Sequence, residues 1–426
     1  MKSQEKKELP SVQVPEIDRC IQTFIAEKHC SAAACIASVG GRVFHRAVYG
    51  CAVAPPPVRK IGLDTVFDLS TLTQPLATGL VAMELASRGR IDLGASLATT
   101  IPEMRDTKFA AMTIDMLLDH TSGLPTSRKF WEDIANEEAR LRPELKTMGT
   151  KKSGPKLRKL LADVRLEADP GTKVVVSDLG FMILGWVLEN IAQQPLDVFL
   201  QKEIYRGLGL DKDLFFVRHD EPPAKVGPRR VFAATEKSEW RDKLLQGEVQ
   251  DPNAWTLGGV AGHAGLFGTV DGVWRLTEAM WESYSGNGRQ FLSGPVRRFW
   301  TRSKRIRGNT RALAWDTPTA HNASAGKRYS LNSIGAVSIG GCSIWVDLAT
   351  DMIGVLLTNA AHPTLDGKEE PLAKFRPRLY ELIAKHGEAM PPDPAKATGS
   401  AAFYTIPGSG GGGVHNPMTT LRKPGK

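Results

Sequence analysis

The chain has 426 residues, of which 42% are hydrophobic, and a net charge of +9. This length can bury a sizeable core in two or three domain-sized units. No apolar run reaches the ~18 residues of a membrane helix. Residues 1–19 are charged and lack the apolar stretch of a secretory signal, so we expect no export by that route.

The cysteines show no pairing with histidine at metal-ligand spacing, and no H-E-x-x-H motif occurs. An odd number of cysteines without such pairing is typical of reduced thiols in a cytoplasmic protein. The cysteines are Cys20, Cys30, Cys35, Cys51 and Cys342. We therefore predict a cytoplasmic location, with no metal and no cofactor.

Lysine and arginine number 55 against 46 for aspartate and glutamate. Such an excess suits an acidic partner, either nucleic acid or an anionic membrane. However, much of it lies in residues 140–159 and 297–311, which contain no recognisable nucleic-acid module. We expect no specific nucleic-acid partner and no membrane partner, and the sequence does not identify a protein partner.

The first predicted elements are a helix and a strand pair. Apolar residues at helical spacing predict an amphipathic helix over 15–27. Two strands are predicted over 32–39 and 42–50, joined by Gly40 and Gly41 as in a hairpin.

Helical segments dominate residues 72–209, including a periodic run over 178–205. Strands return over 343–359, with a turn at Thr350 and Asp351. A last helix is predicted over 371–386, with its apolar residues on one face.

A hairpin first, helices in the middle and strands near the end predict an α+β fold with a helical insertion. We expect a discontinuous sheet domain, 14–70 and 255–387, and a mainly helical domain, 71–254. Residues 388–426 are rich in proline and glycine and are expected to form a flexible tail.

Residues 66–75 read VFDLSTLTQP. They resemble the active-site segment of the serine β-lactamases and penicillin-binding proteins, whose class C-related, esterase-like branch has F-D-L-A-S-L-T-K here. The flanks 76–93 and 112–125 resemble that family as well. The resemblance implies an antiparallel sheet with flanking helices, packed against an all-α domain with the site between them. It also places Thr71 at the nucleophile position and Gln74 at the position of the basic lysine.

Two further family motifs are altered. Residues 170–181 read PGTKVVVSDLGF, so Val176 replaces the motif's tyrosine while Ser177 and Asp178 remain. The third motif, His-Thr-Gly or Lys-Thr-Gly in the family, aligns with Ala336, Val337 and Ser338. Backbone N–H groups at Thr71 and near Ile339 would still line a carbonyl-sized slot, because they do not depend on side chains.

These replacements remove proton carriers. Thr71 keeps a hydroxyl but has a β-methyl that stiffens its side chain, whereas the amide of Gln74 has no useful basicity and Val176 carries no proton. We therefore identify no catalytic residue and expect a pseudoenzyme, a binding or regulatory module that holds a small acyl, peptide or natural-product ligand in the old cleft.

Two alternatives remain open. One is a serine or threonine hydrolase or acyltransferase, of esterase, amidase or β-lactamase type, that uses Ser70 or Thr71 as its nucleophile. The other is a structural or protein-interaction module. The candidate cleft residues are Ser70, Thr71, Gln74, Ser177, His263 and Ile339.

Other residues are expected to have structural roles. His263 lies in a glycine-rich segment, and we favour a hydrogen-bonded histidine in a turn. His120 is expected to hold a turn, and Asp178 to cap its helix or fix a loop. Because Pro75 tolerates only the first turn of a helix, the helix after Thr71 should start irregularly, with Thr73 or Gln74 as its cap.

Overall fold

A computed structural model describes residue 9 and residues 12–53, 59–219, 230–319 and 324–391. Residues 1–389 group into one compact unit. The division of this unit into a sheet domain and a helical domain stays a prediction. The predicted tail lies outside the described residues from position 392 onward.

The α-helices of the described residues are α1 (Pro15–Ala26), α2 (Gly79–Ser87), α3 (Leu97–Thr100), α4 (Ile114–Leu118), α5 (Phe130–Glu138), α6 (Gly154–Ala162), α7 (Asp178–Ala192), α8 (Leu196–Phe199), α9 (Pro252–Thr256), α10 (Val270–Tyr284), α11 (Ser293–Phe299) and α12 (Glu369–Glu388). The strands are β1 (Ala32–Val39), β2 (Arg42–Gly50), β3 (Phe67–Asp68), β4 (Leu214–Phe216), β5 (Lys237–Ser238), β6 (Lys243–Leu244), β7 (Leu266–Gly268), β8 (Ser333–Val337), β9 (Ser343–Asp347) and β10 (Met352–Thr358).

The main sheet is antiparallel and has the order β2-β1-β10-β9-β8. Strand β1 (AAACIASV) is almost wholly buried, as expected for small and branched residues in a strand between two neighbours. It pairs with β10 through Ala33 and Thr358, which joins the N-terminal hairpin to the C-terminal strands. Strand β8 lies at the edge of this sheet.

The α+β prediction is confirmed. The predicted hairpin matches β1 and β2 at both ends, and the predicted turn at Thr350 and Asp351 separates β9 from β10, with Asp351 at a φ of 57°. The predicted helical run 178–205 is interrupted, because Gln193 adopts a left-handed conformation, with φ of 56°, and Pro195 follows. Helix α12 extends the predicted last helix at both ends.

The helix after Thr71 starts irregularly, as Pro75 predicts. A 3-10 turn (Ser70–Leu72) leads into a π-helical turn (Gln74–Thr78), and α2 follows. The predicted cap is wrong, because Thr73 has helical backbone angles and its hydroxyl donates back to the Ser70 carbonyl at 2.6 Å. This segment follows β3, which pairs with β7.

Across the described ranges, we find no helix with the length and apolar character that crossing a membrane requires. The five cysteines are free thiols, and Cys20, Cys30, Cys35 and Cys342 are buried. Burial raises the pKa of the Cys30 and Cys342 thiols to about 12.

Candidate active site

The Asp68 carboxylate fixes the turn that carries the nucleophile position. Ser70 adopts a left-handed conformation with φ of 51°, which is uncommon for a residue with a side chain. Its N–H donates to Asp68 Oδ1 at 2.8 Å, while Asp68 Oδ2 accepts from the Gln250 N–H at 2.8 Å. Burial raises the pKa of Asp68 to about 6. The strained turn is therefore tied to the segment before α9.

Thr71 faces the edge strand of the main sheet. Its Oγ1 lies 3.5 Å from the Val337 carbonyl oxygen, the long limit of a hydrogen bond. Ser338 donates to the Cys342 carbonyl on the β9 side, whereas Gly335 exchanges two hydrogen bonds with Asp316 on the opposite side. Because backbone groups alternate along a strand, the N–H and carbonyl of Val337 point to the outer side, toward Thr71.

The loop after β8 packs against Ser70. Ile339, which belongs to this loop, is 59% exposed. A Cβ built on Gly340 would lie 3.5 Å from the Ser70 Cβ, an ordinary van der Waals contact, so the loop lies beside Ser70. The contact with Thr71 is made by the Val337 carbonyl, and a role for the Ile339 N–H stays a prediction.

Two third-motif positions have structural surroundings. Ala336 is buried in β8 and pairs with Ile344. The Ser338 hydroxyl accepts from the Cys342 N–H at 3.1 Å, and the Ser338 carbonyl accepts from the buried Arg376 guanidinium at 2.6 Å. Ser338 therefore holds the end of the strand.

Gln74 contacts a titratable group directly. Its side chain is buried, and its Nε2 donates to Asp178 Oδ1 at 2.9 Å. Burial raises the pKa of Asp178 to about 6, although the charge of His263 acts in the opposite direction. A carboxyl group that titrates near neutral pH therefore lies one hydrogen bond from the family's base position.

The expected capping role of Asp178 is wrong. Ser177 caps α7, because its Oγ accepts from the Gly180 N–H at 3.2 Å. The same hydroxyl donates to the Pro125 carbonyl at 2.6 Å, so Ser177 is occupied by the fold. Asp178 is the first residue of α7, and its carboxyl turns to Gln74 instead.

His120 supports the same loop. Its Nδ1 accepts a hydrogen bond from the Ser177 N–H at 3.1 Å. Burial lowers the pKa of His120 to about 3, which keeps the ring neutral and able to accept. The predicted structural role is confirmed. Val176, between these contacts, is 43% exposed.

His263 forms an ion pair with Asp251, whose side chain is partly exposed. Its ring is fully buried, and its Nε2 lies 2.9 Å from Asp251 Oδ1. Burial alone lowers the pKa of His263, but the carboxylates of Asp251 and Asp178 outweigh it and raise the pKa above its ordinary value. The expected hydrogen bond of His263 is confirmed, and the charged partner is new.

Sequence reasoning missed Asp68 and Asp251, and it aligned Val337 with the third motif without predicting that its backbone contacts Thr71. Asp251 precedes Pro252, and an acidic cap followed by proline at the first helical position is a recognisable helix start. That pattern predicts α9, whose cap bond runs from the Ala254 N–H to Asp251 Oδ1 at 2.7 Å. It does not predict the ion pair with His263. Within the described ranges, no group of three or more potential ligands is arranged to hold a metal ion.

Residues 17–376 match the family model described as Beta-lactamase. The chain belongs to the beta-lactamase family. It is 28% identical over 385 residues to the N-acetylmuramyl-L-alanine amidase of Bacillus subtilis (strain 168), covering 84% of this chain and 83% of the relative.

Solved structures share the fold. A class C beta-lactamase superposes with a TM-score of 0.63 at 17% identity, covering 86% of this chain and 97% of that one. EstCE1, a hydrolase with promiscuous acyltransferase activity, gives 0.63 at 19% identity and covers 86% and 98%. The β-lactamase-like fold expected from the motifs is confirmed.

The pseudoenzyme expectation is wrong on this comparison. A relative that matches most of both chains carries the name of an amidase, and a structure with the same fold is described as a hydrolase. The hydrolase alternative fits these names better.

Proposed function

We propose that this protein is a hydrolase or acyltransferase that cleaves amide or ester bonds, with the Thr71 hydroxyl as nucleophile and the Asp178 carboxylate as proton acceptor. The observation that carries this proposal is the hydrogen bond between Gln74 and Asp178, a carboxyl with a pKa of about 6. A general base works best when its pKa lies near the operating pH.

Two hydroxyls compete for the role of nucleophile. Thr71 lies beside the outer edge of β8, where the Val337 N–H is directed toward the same space. Ser70 instead packs beside Gly340 in a left-handed turn. This placement favours Thr71, and Ser70 is the alternative nucleophile.

The proposed acyl transfer proceeds in two steps. The Thr71 oxygen attacks the carbonyl carbon while its proton passes, through a water molecule beside Gln74, to the Asp178 carboxylate. Collapse breaks the bond to the leaving group, which takes that proton and leaves an acyl ester on Thr71. Water, or an acceptor hydroxyl, then attacks the ester carbonyl while its proton passes to Asp178. Collapse breaks the bond between the acyl carbon and the Thr71 oxygen, which takes that proton back, and the acid or the new ester is released. The N–H groups of Thr71 and Val337 would stabilise the developing oxyanion.

The altered third motif limits the substrate. Ala336 offers no cation to bind a substrate carboxylate. We therefore expect acyl, peptide or natural-product substrates that lack a free carboxylate at this point. A cytoplasmic location stays a prediction, which cell fractionation would test.

Covalent labelling tests this function. A fluorophosphonate probe and p-nitrophenyl butyrate should react with the wild-type protein, and intact-mass analysis should show one adduct. Thr71→Ala should abolish the adduct, whereas Ser70→Ala should retain it. An adduct lost only in Ser70→Ala would reassign the nucleophile. No adduct and no ester turnover in the wild type would overturn the proposal.

A further inference from the structure

A buried histidine lies behind the proposed proton acceptor. His263 has no exposed side-chain surface, and its Nε2 pairs with Asp251 Oδ1 at 2.9 Å. Its Nδ1 is buried, and no hydrogen-bond partner for it occurs among the described residues. A buried imidazole with one carboxylate partner and one unpaired nitrogen is unusual for a residue that only fills a turn.

The backbone before His263 is fixed against the elements that form the site. The Gly262 carbonyl accepts a hydrogen bond of 2.6 Å from the Thr78 hydroxyl, in the π-helical turn that begins at Gln74. A Cβ on Gly262 would lie 2.0 Å from the Phe181 carbonyl oxygen, so this backbone packs tightly against α7. Helix α7 begins with Asp178, and His263 is therefore held near it.

The charges around His263 form a defined set. Asp251 pairs with it from the cap of α9, and the charge of Asp178, at the start of α7, also favours the imidazolium form. Asp251 also experiences the charge of Arg241, which pairs with Glu248. The charges of Asp251 and Arg241 also act on Asp68: that of Asp251 raises its pKa, and that of Arg241 lowers it. The positive charge of His263 favours the ionised form of Asp178.

We propose that His263, as an imidazolium ion between Asp251 and Asp178, supplies the positive charge that Gln74 cannot, and so keeps Asp178 ionised as proton acceptor. This inference rests on the proposed function for the role of Asp178. His263 is a positioning residue, since it acts on the substrate only through that carboxylate. An opposite charge within a few ångströms typically changes a carboxyl pKa by about one to three units.

The first test measures the histidine and requires no substrate. The chain has nine histidines, so histidine labelled with ¹³C at Cε1 gives nine NMR signals, and His263→Gln assigns one of them. We expect the His263 signal to titrate above the ordinary range of histidine. Asp178→Asn should lower its midpoint, and Asp251→Asn should lower it further. A His263 midpoint that does not move in Asp178→Asn would overturn the inference.

The second test uses the pH dependence of ester hydrolysis. Loss of the cation makes ionisation of Asp178 harder, so His263→Gln should move the acid limb of kcat/KM upward by about one pH unit. Glutamine keeps a donor for Asp251, and thermal melting confirms that the variant folds. His386→Gln, on α12, is the matched control and should leave the limb in place.

The two proposals fail in different ways. Hydrolysis with an acid limb unchanged in folded His263→Gln would overturn this inference and leave the proposed function intact. If the wild type hydrolyses nothing, the proposed function fails. The NMR titration then decides alone whether His263 holds Asp178 ionised.

Discussion

The front of the cleft and the layer behind it differ in charge. At the front, the family's proton carriers and cation are replaced by the uncharged side chains of Gln74, Val176 and Ala336. Behind it lie titratable groups: Asp178 accepts a hydrogen bond from Gln74, and His263, whose charge acts on Asp178, pairs with Asp251. Motif positions describe only the front, so the loss of a motif does not establish the loss of proton-transfer capacity.

Removing the nucleophile should have the largest effect on this arrangement. We expect Thr71→Ala to lower kcat for p-nitrophenyl butyrate by about 10⁴-fold or more, since one member of a nucleophile–base unit is lost. Thr71→Ser, which keeps the hydroxyl and removes the β-methyl, is the matched control and should retain turnover. Equal rates for Thr71→Ala and the wild type would show that the front of the cleft performs no chemistry.

Removing the proton acceptor should have the next largest effect. Asp178→Asn keeps the shape of the side chain but cannot accept a proton, so kcat/KM should fall by about 10²–10⁴-fold. In the wild type, kcat/KM should rise as the pH increases through about 6, where the Asp178 carboxylate forms. This acid limb should be absent in the variant. A limb that persists in Asp178→Asn would place the base elsewhere.

The same variant should affect stability in the opposite direction. The folded-state pKa of Asp178, about 6, exceeds the unfolded value of about 3.9. Folding therefore favours the protonated carboxyl. The folded protein loses stability as the pH rises through this interval, because the buried carboxyl becomes ionised. Asp178→Asn should accordingly raise Tm at pH 7.5 and have less effect at pH 4. A lower Tm at pH 7.5 would show that the carboxylate stabilises the fold.

A positive charge restored at position 74 tests whether Gln74 and His263 act on the same carboxyl. Gln74→Lys would place a cation beside Asp178 and should move the acid limb of kcat/KM to lower pH by about one unit or more. Combined with His263→Gln, the new lysine should restore the limb to near its wild-type position. An acid limb that stays at the His263→Gln position in the double variant would indicate that the two positions do not act on the same carboxyl.

The smallest effect is expected at Val176, the replaced motif position that is exposed to solvent. Val176 is 43% exposed, so Val176→Ala should change the free energy of unfolding by no more than about 0.5 kcal/mol. The rate of ester hydrolysis should stay within about twofold, because a valine carries no proton. A larger loss of rate, with stability unchanged, would indicate that Val176 contacts the substrate.

The sequence predicts more of the fold than of the candidate site. Hairpin and turn residues predicted the strands of the main sheet, and Pro75 predicted the irregular helix start, because both depend on local backbone preferences. The Gln74–Asp178 hydrogen bond joins residues 104 positions apart. The orientation of Val337 depends on how β8 pairs with Asp316. Such contacts arise only from tertiary packing, which no local pattern specifies.

The pairing of β8 with Asp316 occupies part of the outer edge of the main sheet. Gly335 donates to the Asp316 carbonyl at 2.9 Å and accepts from the Asp316 N–H at 2.7 Å, so its backbone groups are already satisfied. A peptide that extends along this edge as an added strand can pair at Val337 but not at Gly335. An added strand would therefore have to end beside Val337, because Asp316 already occupies the pairing positions of Gly335.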